Sequence, residues 1–207
     1  MTARDEVLGR IRAANRSASV PTVERRYRTT GDHPPGSAAA VDLFEERLVD
    51  YRATVRRSAE SELPTTVAAA LAAALPTGRK IIVPAGLPVE WVPDGVGDDG
   101  RMSATELDGF DAAVTACAVA CAETGTIVLD GAPDQGRRAL TLVPDVHVCV
   151  VRADQVVHTV PEMLARVDAT RPLTFISGPS ATSDIELDRV EGVHGPRILT
   201  VLLVSGE

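Results

Sequence analysis

The chain has 207 residues, 44% hydrophobic and only 3% aromatic, so a single generous domain must build its core from Ala, Val, Leu and Ile rather than from rings. A net charge of −8 at pH 7 and a pI near 5.0 oppose a phosphate backbone, which argues against nucleic acid as a partner. The three cysteines, Cys117, Cys121 and Cys149, include no Cys-x-x-Cys pair, so the sequence encodes neither a disulfide framework nor a metal or cluster site of its own.

Thr2 to Ala14 carries Val7, Leu8 and Ile11 at helical spacing, with Thr2 and Asp5 placed as a capping box. Residues 16–37 lose all periodicity and gather Ser, Thr, Pro34, Pro35 and Gly36, which is linker chemistry. Residues 1–37 therefore read as an N-terminal helix on a flexible linker, and residues 38–207 as the α/β domain. Arg25, Arg26 and Arg28, then Arg52, Arg56 and Arg57, read as solvated faces because neither cluster has the aromatic interleaving that single-strand binding wants, with Tyr27 the one ring inside either. The N-terminus lacks the apolar region of a signal peptide, and no stretch reaches the roughly 18 apolar residues of a membrane span, so the expected location is cytoplasmic.

Phe44, Leu48 and Val49 predict a helix from Val41 onward, and Ala53 to Ser58 a strand of low hydrophobicity suited to a sheet edge. Pro64 opens an Ala- and Leu-rich helix that runs to Leu75. Lys80 to Val83 reads as a short strand ended by Pro84 and Gly86, and residues 86–104 as a surface loop around Trp91. Cys117 and Cys121, four apart, have the spacing of one helical face. Strands are predicted at 112–115, 126–129, 147–151, 173–176 and 198–204. Continuous Val, Ile and Leu runs suit strands buried on both faces, hence a three-layer α/β/α fold with a largely parallel sheet.

Three polar turns can carry chemistry. The first, Glu123-Thr124-Gly125-Thr126, precedes a strand. Its glycine and two hydroxyls can aim donors at an anion, and Glu123 can serve as base or nucleophile, while the same residues also suit a plain solvated turn. The second, residues 177–184, follows a strand and offers Ser177, Gly178, Ser180, Thr182 and Asp184. Strand, glycine, hydroxyls and helix in succession is how α/β sheets bind ligands at their carboxyl edge, with Ser183 or Asp184 capping a helix continued by Ile185, Leu187 and Val190. The third, Gly192 to Arg197, exposes His194 between glycines for acid/base work, with Gly195 and Arg197 beside it. His147, inside an apolar strand, reads as a satisfied core residue. No Gly-x-Ser-x-Gly elbow, Walker loop, dinucleotide fingerprint or His-Glu-x-x-His is present.

Taken in order, ETGTIVL at 123–129, PDVHVCVV at 144–151 and ISGPSATSDIELDRVEGVHGPRILTVLLV at 176–204 resemble the lactate-utilisation protein C family, the LUD domain. The resemblance runs from roughly Gly109 to the end, with weaker support in the Ala-rich helix and at Lys80. It implies a fold like the sugar-phosphate isomerase and coenzyme A transferase superfamily, and a role in converting lactate to pyruvate. It also implies two iron–sulfur partner proteins that hold the redox centres, with no cofactor in this chain and a small carboxylate as ligand. Many members carry a basic residue where this chain has Ala181, which leaves Arg197, backbone N–H groups and hydroxyls to hold a carboxylate here. A catalytic glutamate in the wider superfamily makes Glu123 the candidate for that part. A stand-alone enzyme acting on an acyl thioester or phosphorylated small molecule, or a carboxylate-binding module, are the other readings.

Overall fold

The apolar runs around residues 150 and 200 lie side by side at the centre of a six-stranded sheet in the computed structural model, which describes residues 2–17, 22–75, 79–182, 190–191 and 194–205. In chain order the described strands are β1 (Thr54–Ala59), β2 (Ile81–Pro84), β3 (Val96–Asp98), β4 (Ala112–Thr115), β5 (Val119–Cys121) and β6 (Thr126–Leu129). They continue with β7 (Val146–Arg152), β8 (Val156–Val157), β9 (Thr174–Ile176), β10 (Ala181–Thr182), β11 (Val190–Glu191) and β12 (Ile198–Ser205). The helices are α1 (Ala3–Ala14), α2 (Ala38–Asp50), α3 (Leu63–Ala74), α4 (Ala104–Leu107) and α5 (Val160–Leu164).

The main sheet runs β1-β12-β7-β4-β2-β3, and every pairing in it is parallel. This is the expected α/β fold with a largely parallel sheet and helices packed against it. One face carries Val114, Val146, Val148, Val150, Leu202 and Val204 against Leu63, Val67 and Leu71 of α3. The other carries Cys149, Val151, Leu199, Val201 and Leu203 against Phe44 and Leu48 of α2. Each such side chain, fully buried, contributes roughly 1.5–3 kcal/mol. The alternation explains why β7 and β12 read as unbroken apolar runs: neither face meets water.

A second sheet, β8-β5-β6-β9, joins the α2 layer, with Ala120, Ile127 and Leu129 in the same apolar cluster as α2. Its β6 pairs antiparallel with both β5 and β9, and its outer face, with Val119, Cys121 and Val128, packs on Met163 of α5. Two of the predicted strands, β6 and β9, thus belong to this smaller sheet. Cys121 lies on β5 rather than on a helix, and Cys117 and Cys121 enter different clusters, so the helical spacing of the two thiols is not realised.

Capping decides where the helices start. Thr2 and Asp5 form the capping box that opens α1, and the Ser37 hydroxyl accepts the Ala40 N–H to open α2, which stops where Arg52 turns left-handed at φ 67. Val49 is exposed, so the apolar stripe of α2 is Ala40, Val41, Phe44 and Leu48. β1 is an edge strand, as its low hydrophobicity predicts, and presents Arg56 and Arg57. The segment 86–104 is not a plain surface loop: Trp91 is buried under α3, and Val96–Asp98 adds the opposite edge strand. Among the described residues, no helix is long and apolar enough to cross a membrane.

Candidate functional site

A cavity of about 250 Å³ opens at the amino ends of β7 and β12, between the turn after β9 and the 3₁₀ turn Arg138–Thr141. Its position corrects an expectation. The strand that runs into Ser177 and Gly178 is β9 of the smaller, mixed sheet, so the turn reaches the amino rim of the parallel sheet and not its carboxyl rim.

Local chemistry places each lining group. Gly178 takes φ 83 and packs against the Tyr51 backbone, a position with no room for a Cβ. That turn swings Ser180 to the loop before β12, where the Ser180 N–H donates to the Pro196 carbonyl at 2.8 Å and the Ser180 hydroxyl accepts the His194 N–H at 3.0 Å. Ser177, Ser180, His194 and Gly195 therefore meet at one cavity, as the sequence predicts. The His194 contact runs through its backbone and not its ring, so Ser180 and His194 form no nucleophile–base pair.

Three residues that sequence reasoning left out of the site complete it. Thr141 is buried, and both its carbonyl and its hydroxyl accept from Arg138 Nη1, at 2.8 and 3.2 Å. Arg138 is exposed at the cavity mouth and, among the described residues, no carboxylate pairs with it, while partial burial lowers its pKa. His147 is only 1% exposed, with its Nε2 2.8 Å from the Thr115 hydroxyl, and burial with Arg138 nearby lowers its pKa to about 4. It is the satisfied core histidine expected from its strand, and it also lines the cavity as a neutral imidazole. The visible signal was a polar residue in a strand buried on both faces.

Other candidates lie elsewhere. Glu123 does not line the cavity: Arg28, far off in sequence, donates to its Oε1 at 2.5 Å. Arg28 stays exposed, as its solvated reading expects, and gains a partner there. Gly125 turns against the Arg47 backbone under α2. Thr124 contacts Thr126 at 2.7 Å, and Thr126 contacts Ser177 at 2.8 Å, so these two hydroxyls reach the rim only through a chain of hydrogen bonds. Arg197 gives both its Nε and Nη2 to Asp145, at 3.0 and 2.9 Å, and lines a separate cavity beside Arg52 and Arg56. It cannot serve as the free cation that the missing basic residue at Ala181 called for. Arg138 is the cation that lines the cavity.

Thr182 is described only as a β10 strand residue, and Asp184, with Ser183, lies outside the described residues. The predicted helix there is likewise outside them, except Val190, which sits in β11 opposite Thr182. All three cysteines are buried, and contact with Cys149 together with burial holds the Cys117 thiol protonated. The arrangement can hold one small anion: a guanidinium, three hydroxyls and an exposed imidazole around a space small among ligand pockets.

The LUD domain family matches residues 79–204, a span that holds Arg138, His147, Ser177, Ser180 and His194. The protein named Lactate utilization protein C in Deinococcus radiodurans is 52% identical over 179 residues, covering 83% of this chain and 82% of its own length. Its namesake in Bacillus subtilis is 32% identical over 131 residues, covering 58% of this chain and 52% of its own. Among solved structures, a crystal structure of a DUF162 family protein from Deinococcus radiodurans superposes with a TM-score of 0.68 at 45% identity, covering 81% of this chain and 97% of that one.

Proposed function

Because the chain belongs to the LUD domain family, we propose that it serves lactate utilisation by holding a small carboxylate at Arg138, as the non-redox component of an iron–sulfur system that oxidises lactate to pyruvate. The observation that carries this reading is the Arg138 guanidinium, which has no carboxylate partner among the described residues and faces a cavity lined by hydroxyls. Arg138 and the Ser177 and Ser180 hydroxyls bind the carboxylate, and His194 at the mouth takes the proton of the substrate's 2-hydroxyl. Oxidation of lactate to pyruvate releases two electrons and two protons: the hydroxyl proton would go to His194 and the C2 proton to solvent, while the electrons would go to oxidised clusters held by two partner proteins. Support for those partners is the family resemblance and the lack of cluster-ligand cysteine spacing in this sequence.

Calorimetric titration of the purified chain with L-lactate and with pyruvate is expected to give saturable binding. Mixing the chain with its two iron–sulfur partners is expected to give lactate-dependent electron transfer that stops when the chain is omitted. Turnover unchanged without it would sink the subunit role.

A further inference from the structure

Arg138 and Thr141 also line a second, larger cavity of about 650 Å³ that no step above uses. This one lies at the carboxyl ends of β2 and β3, where Pro84 and Asp98 stand. Chain order reverses there: β3 follows β2 to the outer edge, then β4 returns on the opposite side of β2. Such a reversal opens a crevice that α/β folds use for ligands.

The charges of the lining limit what fits. Arg137 gives a two-pronged bond to Asp98 at 2.8 and 3.0 Å, and Arg171 pairs with Asp130 at 2.6 Å. With Asp99 also present, the cavity balances three arginines against three aspartates, so a polyanion such as a nucleotide diphosphate meets no net attraction. Between the ion pairs the wall is apolar, made by Pro84, Leu129, Ala132, Pro133 and Pro172. The loop 130–136 that bears part of it is pinned: Gly86 N–H donates to the Pro133 carbonyl at 2.9 Å, and Asp130 N–H to Gln135 Oε1 at 2.6 Å.

We propose that the two cavities form one site, which takes 2-hydroxy acids with extended apolar side chains, lactate being the smallest. This rests on the carboxylate seat at Arg138. The acid's head sits in the small cavity and its side chain crosses Arg138 and Thr141 into the large one, displacing water from Leu129 and the prolines.

The test is a calorimetric series on the full chain with lactate, 2-hydroxybutanoate and 2-hydroxyhexanoate. Affinity is expected to rise at least twofold per added methylene, towards the roughly fourfold of complete burial. Ala132→Trp, or Thr174→Trp on the half-buried edge strand β9 if the first variant folds poorly, is expected to flatten the series and leave lactate binding within twofold. Equal affinities across the series overturn this proposal and leave the lactate reading intact, and so does a rise that both tryptophan variants preserve. Binding by none of the three acids overturns both readings.

Discussion

Two turns of this protein look alike in sequence and differ in what the rest of the chain does to their charges. At 123–126 a carboxylate, a glycine and two hydroxyls sit before β6. Arg28 neutralises Glu123, Gly125 is packed on α2, and the hydroxyls satisfy one another. At the rim formed by residues 138–141, 177–180 and 194–196 the same vocabulary of glycine and hydroxyl surrounds a guanidinium that no described carboxylate neutralises. The first turn is electrically closed and the second open. A turn can offer donors locally, but a residue a hundred positions away decides whether a ligand's charge is still wanted there.

The contrast can be strained hardest at His147, under the open rim. The unfolded chain protonates this imidazole near pH 6.5, and the folded chain only near pH 4. Stability is therefore expected to fall by roughly 3 kcal/mol as pH drops through that window, since the unfolded state binds the extra proton. Urea unfolding at pH 7 and pH 4 measures it, and His147→Gln should show a shallower pH slope. An equal slope in that variant would mean that other groups govern the acid response.

A smaller effect is expected from Arg138→Gln, which should weaken lactate or pyruvate binding by roughly tenfold, the scale of one charge-assisted hydrogen bond at a partly solvated site. The midpoint of thermal unfolding should fall by a few degrees at most, because the variant loses the Arg138 donation to Thr141 but leaves no described carboxylate unpaired. Undiminished binding would show that the rim is not open in the sense argued above. The smallest effect belongs to the closed turn. Glu123→Gln and Arg28→Gln should each change stability by less than about 1 kcal/mol, as exposed pairs do, and leave carboxylate affinity untouched. A loss of affinity in Glu123→Gln would erase the distinction between the turns.

Most of the fold was written locally. Unbroken apolar runs announced β7 and β12, Pro64 and the alanines announced α3, and the poor hydrophobicity of the segment after Ala53 announced an edge. β3 was not legible because Gly97 and Asp98 disfavour strands, outweighing Val96, and the segment is held by pairing with β2. β5 was missed because its small residues fit either period. At the site, Ser177, Ser180, His194 and Gly195 converge as their motifs suggest. Arg138 did not stand out, since its value lies in having no carboxylate partner among the described residues, and Arg197 misled for the converse reason: Asp145 claims it across more than fifty residues.

The margins of the parallel sheet carry a consequence for behaviour at high concentration. β1 offers a free backbone ladder, yet it displays Arg56 and Arg57 there, with Arg57 clasped by Asp42 and Glu45 from α2. β3, at the far margin, is three residues long and contains Gly97 and Asp98. An incoming strand would have to desolvate charge at one border and find almost no length to grip at the other. The parallel sheet thereby offers little purchase for stacking edge to edge into fibres, even though two of its central strands are nearly pure aliphatic sequence.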